Sequence, residues 1–284
     1  MILTNSTAAR VQGSTVTGII SVSSTFLQFM QYAALTVSSA ISGTIGLVKN
    51  GAAQLTLSGT CTYTGATQIN AGTLSITGAS TLNGVISGSG SLTKTGTAVL
   101  TIGGNNTYSG GTSFVSGGLA GLIEYSSNNA FGTGLFTLSN AAGRIDTGGN
   151  VTLSNNFQLN TSLQYRTIGA NTITVTGNIA GTGNVSKTGN GILILSGTLT
   201  YTGQTIITTG SIQASKTTGS STATASFGTI ATLSVSFNVS PDAGTQTFRF
   251  FQGSTSRTYT AVTLVNAPGR TATYNSTNST LTVT

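Results

Sequence analysis

Residues 90–112 read GSLTKTGTAVLTIGGNNTYSGGT, and close variants stand on either side: GLVKNGAAQLTLSGTCTYTGAT at 46–67 and GNVSKTGNGILILSGTLTYTGQT at 183–205. The three align without gaps, because Lys49, Lys94 and Lys187 each precede a tyrosine, Tyr63, Tyr108 and Tyr201, by fourteen residues. A cassette that recurs at fixed internal spacing marks a repeat protein. The first two lysines are 45 residues apart and the next two 93, close to two such periods, so the stretch between the later copies reads as a degenerate copy.

The strands this pattern predicts are short: LTL at 55–57, TQIN at 67–70, TLSI at 73–76, VLTI at 99–102, TSFV at 112–115, ILIL at 192–195 and TIIT at 205–208. Gly and Asn turn signals separate them, and no helix of normal length fits anywhere in 38–214. Strands this short suit a solenoid whose coils of roughly 20 residues stack at about 4.8 Å in parallel ladders. Two coils per 45-residue repeat is the expected division. Alternation places Leu55 and Leu57, or Leu193 and Leu195, on a thin aliphatic core, with Thr56 or Ile194 facing the other way. Gly65, Gly110 and Gly203 follow Tyr-Thr or Tyr-Ser, where a corner is expected to need a positive φ.

Composition narrows the function. Only 13 of 284 residues are charged, so solubility rests on Ser, Thr, Asn and Gln, while the periodic Val, Ile and Leu exclude disorder. The net charge of +7 suggests phosphate binding, but Arg10, Arg166 and Arg270 are scattered and no stacking motif accompanies them, so nucleic acid is not an expected partner. The uncharged stretch 11–48 includes Phe26–Val37, yet Ser, Thr and Gln interrupt every apolar run before it reaches the roughly 20 residues of a membrane span. Cys61 is the one cysteine and aligns with Asn106 and Leu199, which marks a buried packing position. The chain has no histidine to activate it.

The string G-x-G-x-L-x-K-x-G, followed by L-x-L-x-G, N-x-Y-x-G-G-T and a G-x-L ending, resembles the autotransporter-associated β-strand repeat of bacterial surface proteins. Residues 88–119 match best, 181–212 well, and 43–74 with Ile45 in place of the second glycine; 129–180 resembles the spacer of that family. The resemblance covers about 41–214 and implies an all-β chain, a right-handed parallel β-helix, commonly the extended passenger of a secreted adhesin. Beyond it, SKTTGSSTATASFG opens a region of longer alternating strands, read as a C-terminal antiparallel β-sandwich-like cap over 215–284. Residues 1–40, with Phe26, Leu27, Phe29, Met30 and Tyr32, read as an N-terminal cap, an oligomer contact or an anchoring arm.

Three acids exist, Glu124, Asp146 and Asp242. Glu124 and Asp146 lie 22 residues apart, about one coil, so they could stack as a glycan-cleaving pair; the plainer expectation is that Arg144 neutralises them. The three lysines are expected on solvated coil edges, where charge discourages aggregation. The tyrosines are expected to cover corners with buried rings and wet hydroxyls. Asn105–Asn106, Asn128–Asn129 and Asn155–Asn156 suit turns or stacked amide ladders. No catalytic, cofactor or metal residue is therefore assigned.

With neither a basic-then-apolar leader nor a barrel-forming run of strands in view, the expected role is a non-enzymatic virion protein. The specific expectation is a phage capsid decoration or cement protein on the particle exterior, a homotrimer bound to capsid proteins, without membrane insertion or cofactor. The alternatives are the passenger domain of a bacterial surface adhesin, secreted or at the cell surface, and a tail fibre or tailspike that binds host-surface glycan.

Overall fold

The computed structural model describes residues 33–214, apart from 117, 119 and 120, together with Phe26–Met30; elsewhere it describes only the backbone of short strands. The chain winds into a parallel β-solenoid, with no helix among the described residues. Each coil crosses three faces in the same order. The first face carries strands such as Gly46–Asn50 and Thr67–Ile69, the second Leu55–Leu57 and Thr73–Ile76, and the third Ser80–Leu82 and Val99–Ile102.

The second face is one nine-stranded parallel sheet and the third an eight-stranded one. The first face is broken into a five-stranded and a six-stranded sheet, because the coils around Asn106 and Ala130 cross it without a strand. Stacking persists there through Thr107 N–H to the Ile86 carbonyl (2.8 Å) and Asn106 N–H to the Asn129 carbonyl (3.2 Å).

Strand registers carry the alternation expected from the sequence. Leu55, Leu74 and Leu92 pair in one column, as do Leu57, Ile76 and Lys94. Leu55, Leu57 and Leu193 are fully buried, while Thr56 and Ile194 are half-buried on the outer side. One continuous core runs from Leu27 to Ile212. Each of its buried Leu and Ile side chains contributes about 2 kcal/mol relative to exposure. Leu27 and Phe29 belong to this core, so Phe26–Met30 is a rung of the solenoid.

Coil length and core content vary together. Thr112 pairs with Phe136, 24 residues on, whereas Leu74 pairs with Leu92, 18 residues on. The longer coils enclose a wider interior, which Phe114, Phe131, Phe136, Phe157 and Tyr165 fill with ring centroids 4.8 to 6.5 Å apart. The stretch expected to be a degenerate copy is thus an aromatic-cored section of the same solenoid.

Two expectations are corrected. The repeat does not advance by two coils. Lys49 lies on the first face, Lys94 on the second and Lys187 on the third. From Lys49 the first face is revisited at Thr67–Ile69 and Ile86–Ser87 before the chain steps to Lys94, so 45 residues make two and a third coils. Likewise four second-face strands separate Lys94 from the step to Lys187. Nor do Gly65, Gly110 and Gly203 have positive φ. They are needed because the backbone of the preceding coil presses on them: a Cβ would run into Ile45 O, the Gly90 carbonyl group or Gly183 O.

In 215–284 the strands Ala225–Phe227, Leu233–Ser236 and Val262–Val265 continue parallel ladders, while Gln246–Arg249 and Ala272–Asn275 pair antiparallel with Thr280–Val283. The sandwich-like cap expected there, and the portion before Phe26 of the cap or arm expected at 1–40, otherwise fall outside the described residues.

Candidate functional site

The paired acids come together as the coil length requires. Glu124 and Asp146 are register partners on adjacent third-face strands, Leu122–Tyr125 and Gly143–Thr147. Asp146 is only 1% exposed, because two arginines close over it: Arg144 Nε lies 3.1 Å from Oδ1 and Arg166 Nη1 2.9 Å from Oδ2. Burial pushes its carboxyl above the usual range, and the two guanidinium groups pull it back. Glu124 accepts a hydrogen bond from Thr101 Oγ1 at 3.2 Å.

Arg144 was legible as the partner of Asp146, but Arg166 was not. It reads as isolated in the sequence because it belongs to the next rung, 20 residues on, as the register partner of Asp146. Among Phe26–Met30 and 33–214, Glu124, Arg144, Asp146 and Arg166 are the only charged residues besides the three cassette lysines. Among the described residues no group of three or more His, Cys, Asp or Glu could hold a metal ion. No described helix is long and apolar enough to cross a membrane.

The cassette lysines are not on solvated edges. All three are fully buried. Each takes the last inward position of its strand, after Leu47, Leu92 or Val185, and is followed at +2 by a glycine in the left-handed region: Gly51 (φ 82), Gly96 (φ 70) and Gly189 (φ 77). That Lys-x-Gly turn directs carbonyl oxygens back at the ammonium. Lys49 Nζ donates to Gly51 O (2.8 Å) and Ala71 O (3.0 Å), and Lys94 Nζ to Thr95 O (2.6 Å) and Gly96 O (3.1 Å). Lys187 Nζ donates to Thr188 O (2.6 Å), Gly189 O (2.7 Å) and Thr167 Oγ1 (3.1 Å). A flexible stem with three donors suits such a cluster of acceptors at a corner.

The tyrosine hydroxyls are likewise buried rather than wet. Tyr63, Tyr108 and Tyr201 each bond the threonine four residues on, Thr67 (2.7 Å), Thr112 (2.6 Å) and Thr205. Each pair locks one corner to the first inward residue of the next strand. Cys61 is fully buried, as its alignment with a packing position implied, and burial pushes its thiol up to about 11. Of the asparagines expected in turns and ladders, Asn129 Nδ2 reaches Asn105 Oδ1 (3.3 Å). Asn106 joins Ile86 N–H to the Ala130 carbonyl, and Asn155 donates to carbonyls of the coil before it.

These buried groups set the pH response. Burial lowers the amines of Lys94 and Lys187 to about 8, and that of Lys49 in the same direction, from an ordinary 10.5. Between those values the unfolded chain holds more protons, so stability rises with pH. Burial raises the phenols of Tyr63, Tyr108, Tyr125, Tyr165 and Tyr201 above their ordinary 10.0. Above about pH 10 the unfolded chain loses phenolic protons that the fold retains, and stability falls. Thermal melts followed by circular dichroism should therefore show Tm climbing above pH 8 and dropping steeply beyond pH 10, with the phenolate absorbance of those five tyrosines appearing only on unfolding.

No curated protein and no solved structure matches the chain. A family model does match, in three segments that each begin two residues before a cassette lysine. Residues 47–76, 92–120 and 185–214 match the passenger-associated-transport-repeat, so these three segments are repeats of the kind carried by secreted or surface passenger domains.

Proposed function

We propose that this chain is a non-enzymatic passenger-type rod that works outside the cell producing it, by presenting long, nearly uncharged faces to other macromolecules. The observation that carries this is the cassette itself. Its most distinctive side chains, Lys, Tyr and Thr, are spent on sealing corners and leave none of themselves for a substrate. The acid pair supports the same reading, since Asp146 is only 1% exposed with both oxygens facing arginines, whereas a cleaving pair must reach the bond it breaks.

The repeat matches support this reading, and no described feature supports the capsid-decorating role expected from the sequence. The test is where the chain resides. Antibody against residues 41–214 should label intact producing cells or their medium. Recovery of the chain only in sedimenting capsid particles would restore the virion role. Sugar release from a glycan that Glu124→Gln abolishes would replace the rod with an enzyme.

A further inference from the structure

Four asparagines among the described residues open the tripeptide Asn-x-Ser/Thr: Asn105-Asn106-Thr107, Asn150-Val151-Thr152, Asn160-Thr161-Ser162 and Asn184-Val185-Ser186. A chain rich in Asn, Ser and Thr produces such tripeptides by composition alone, so the argument rests on how these four are held. Asn105, Asn150 and Asn160 are exposed and Asn184 is half-buried.

In each, the side-chain oxygen is engaged as an acceptor. Asn150 Oδ1 receives Thr172 N–H (2.8 Å) and Asn184 Oδ1 receives Gln204 N–H (2.7 Å), which fixes which end of those amides is oxygen. Asn105 Oδ1 receives Asn129 Nδ2 (3.3 Å) and Asn160 Oδ1 receives Gln158 Nε2 (3.0 Å). None of the four Nδ2 atoms donates to a described residue. Asn70, Asn106, Asn129, Asn155 and Asn171, whose Nδ2 atoms do donate, all stand outside such a tripeptide. Asn50, Asn128, Asn156 and Asn178 also accept through Oδ1 without donating, but none of them opens the tripeptide, so Asn105, Asn150, Asn160 and Asn184 are the described asparagines that combine the two features.

Their placement is not even around the solenoid. Asn105 and Asn150 follow third-face strands, at the corner leading to the first face, and Asn160 and Asn184 precede third-face strands, at the corner leading from the second. The two corners border the face that carries Glu124, Arg144, Asp146 and Arg166.

We infer that Asn105, Asn150, Asn160 and Asn184 are N-glycosylation sites that border the charged third face with sugar. In the transfer, Nδ2 gives up a proton to the transferring enzyme and bonds the anomeric carbon of a phosphate-activated hexose. The C1–O bond breaks and the nucleoside diphosphate leaves with its electron pair. The asparagine oxygen keeps its anchor to the rod, so the modification costs no hydrogen bond within it. This inference rests on geometry and stands whether or not the passenger role holds.

The test treats the folded chain with UDP-glucose and a soluble N-glycosyltransferase that reads Asn-x-Ser/Thr, then maps added hexose by peptide mass spectrometry. Hexose is expected at all four positions. Thr107→Ala and Thr152→Ala should each erase only the site two residues before, with the melting temperature unchanged by the sugar. A folded chain left without hexose at these positions overturns the inference, as does labelling at Asn70, Asn129 or Asn171.

Discussion

Lys94→Ala should destabilise its coil by about 3–5 kcal/mol, since it leaves the Thr95 and Gly96 carbonyls aimed into a void the length of the lost stem. The void and the stranded acceptors can be separated. Lys94→Met fills most of the volume but offers no donor, and it also removes the cost of holding an ammonium away from water. A loss of about 1–2 kcal/mol is expected for it. Urea melts of both variants, with hydrogen exchange over 91–96, read the two effects. Since each coil contacts only its neighbours, the damage should appear first as local opening around that corner. A Lys94→Ala rod that melts like the parent would mean the carbonyl cluster does not need its cation.

Gly203→Ala is the second large effect, at about 3 kcal/mol. The added methyl meets Gly183 O and Asn184 N, which are backbone atoms of a packed coil and cannot swing aside. Gly96→Ala is the informative comparison. A Cβ there has open space within 4 Å, but the residue sits at φ 70, so its cost is conformational and about 1–2 kcal/mol. If Gly203→Ala proved the milder of the two in thermal melts, close coil approach would not be what reserves that position for glycine.

Much of the fold is legible because the strands are nearly independent of distant context. LTL at 55–57, TLSI at 73–76, VLTI at 99–102 and ILIL at 192–195 are strands with those bounds, and their inward leucines line the core. What escaped was the destination of the lysines. A lysine reads as surface by type, yet its parity said otherwise: Leu47-x-Lys49, Leu92-x-Lys94 and Val185-x-Lys187 put the amine on the same side as the preceding aliphatic residue. The glycine two residues later in every copy was the second signal, since a left-handed turn there is what gathers the carbonyls. Arg166 escaped for another reason. Its partner lies on a neighbouring rung, and coil lengths that vary between 18 and 24 residues hide such pairs until the register is known.

The one-face step between successive lysines governs how such a molecule grows. Duplicating a 45-residue unit adds two and a third windings, so any side chain copied onto the exterior reappears rotated by a third of a turn. It returns to its original azimuth only at every third copy, about 34 Å farther along at 4.8 Å per winding. A lineage that lengthens the protein by unit duplication therefore spreads copied decoration in a screw around the shaft. A flat target would meet each duplicated group at that long pitch, whereas a partner wrapped around the shaft would meet every one.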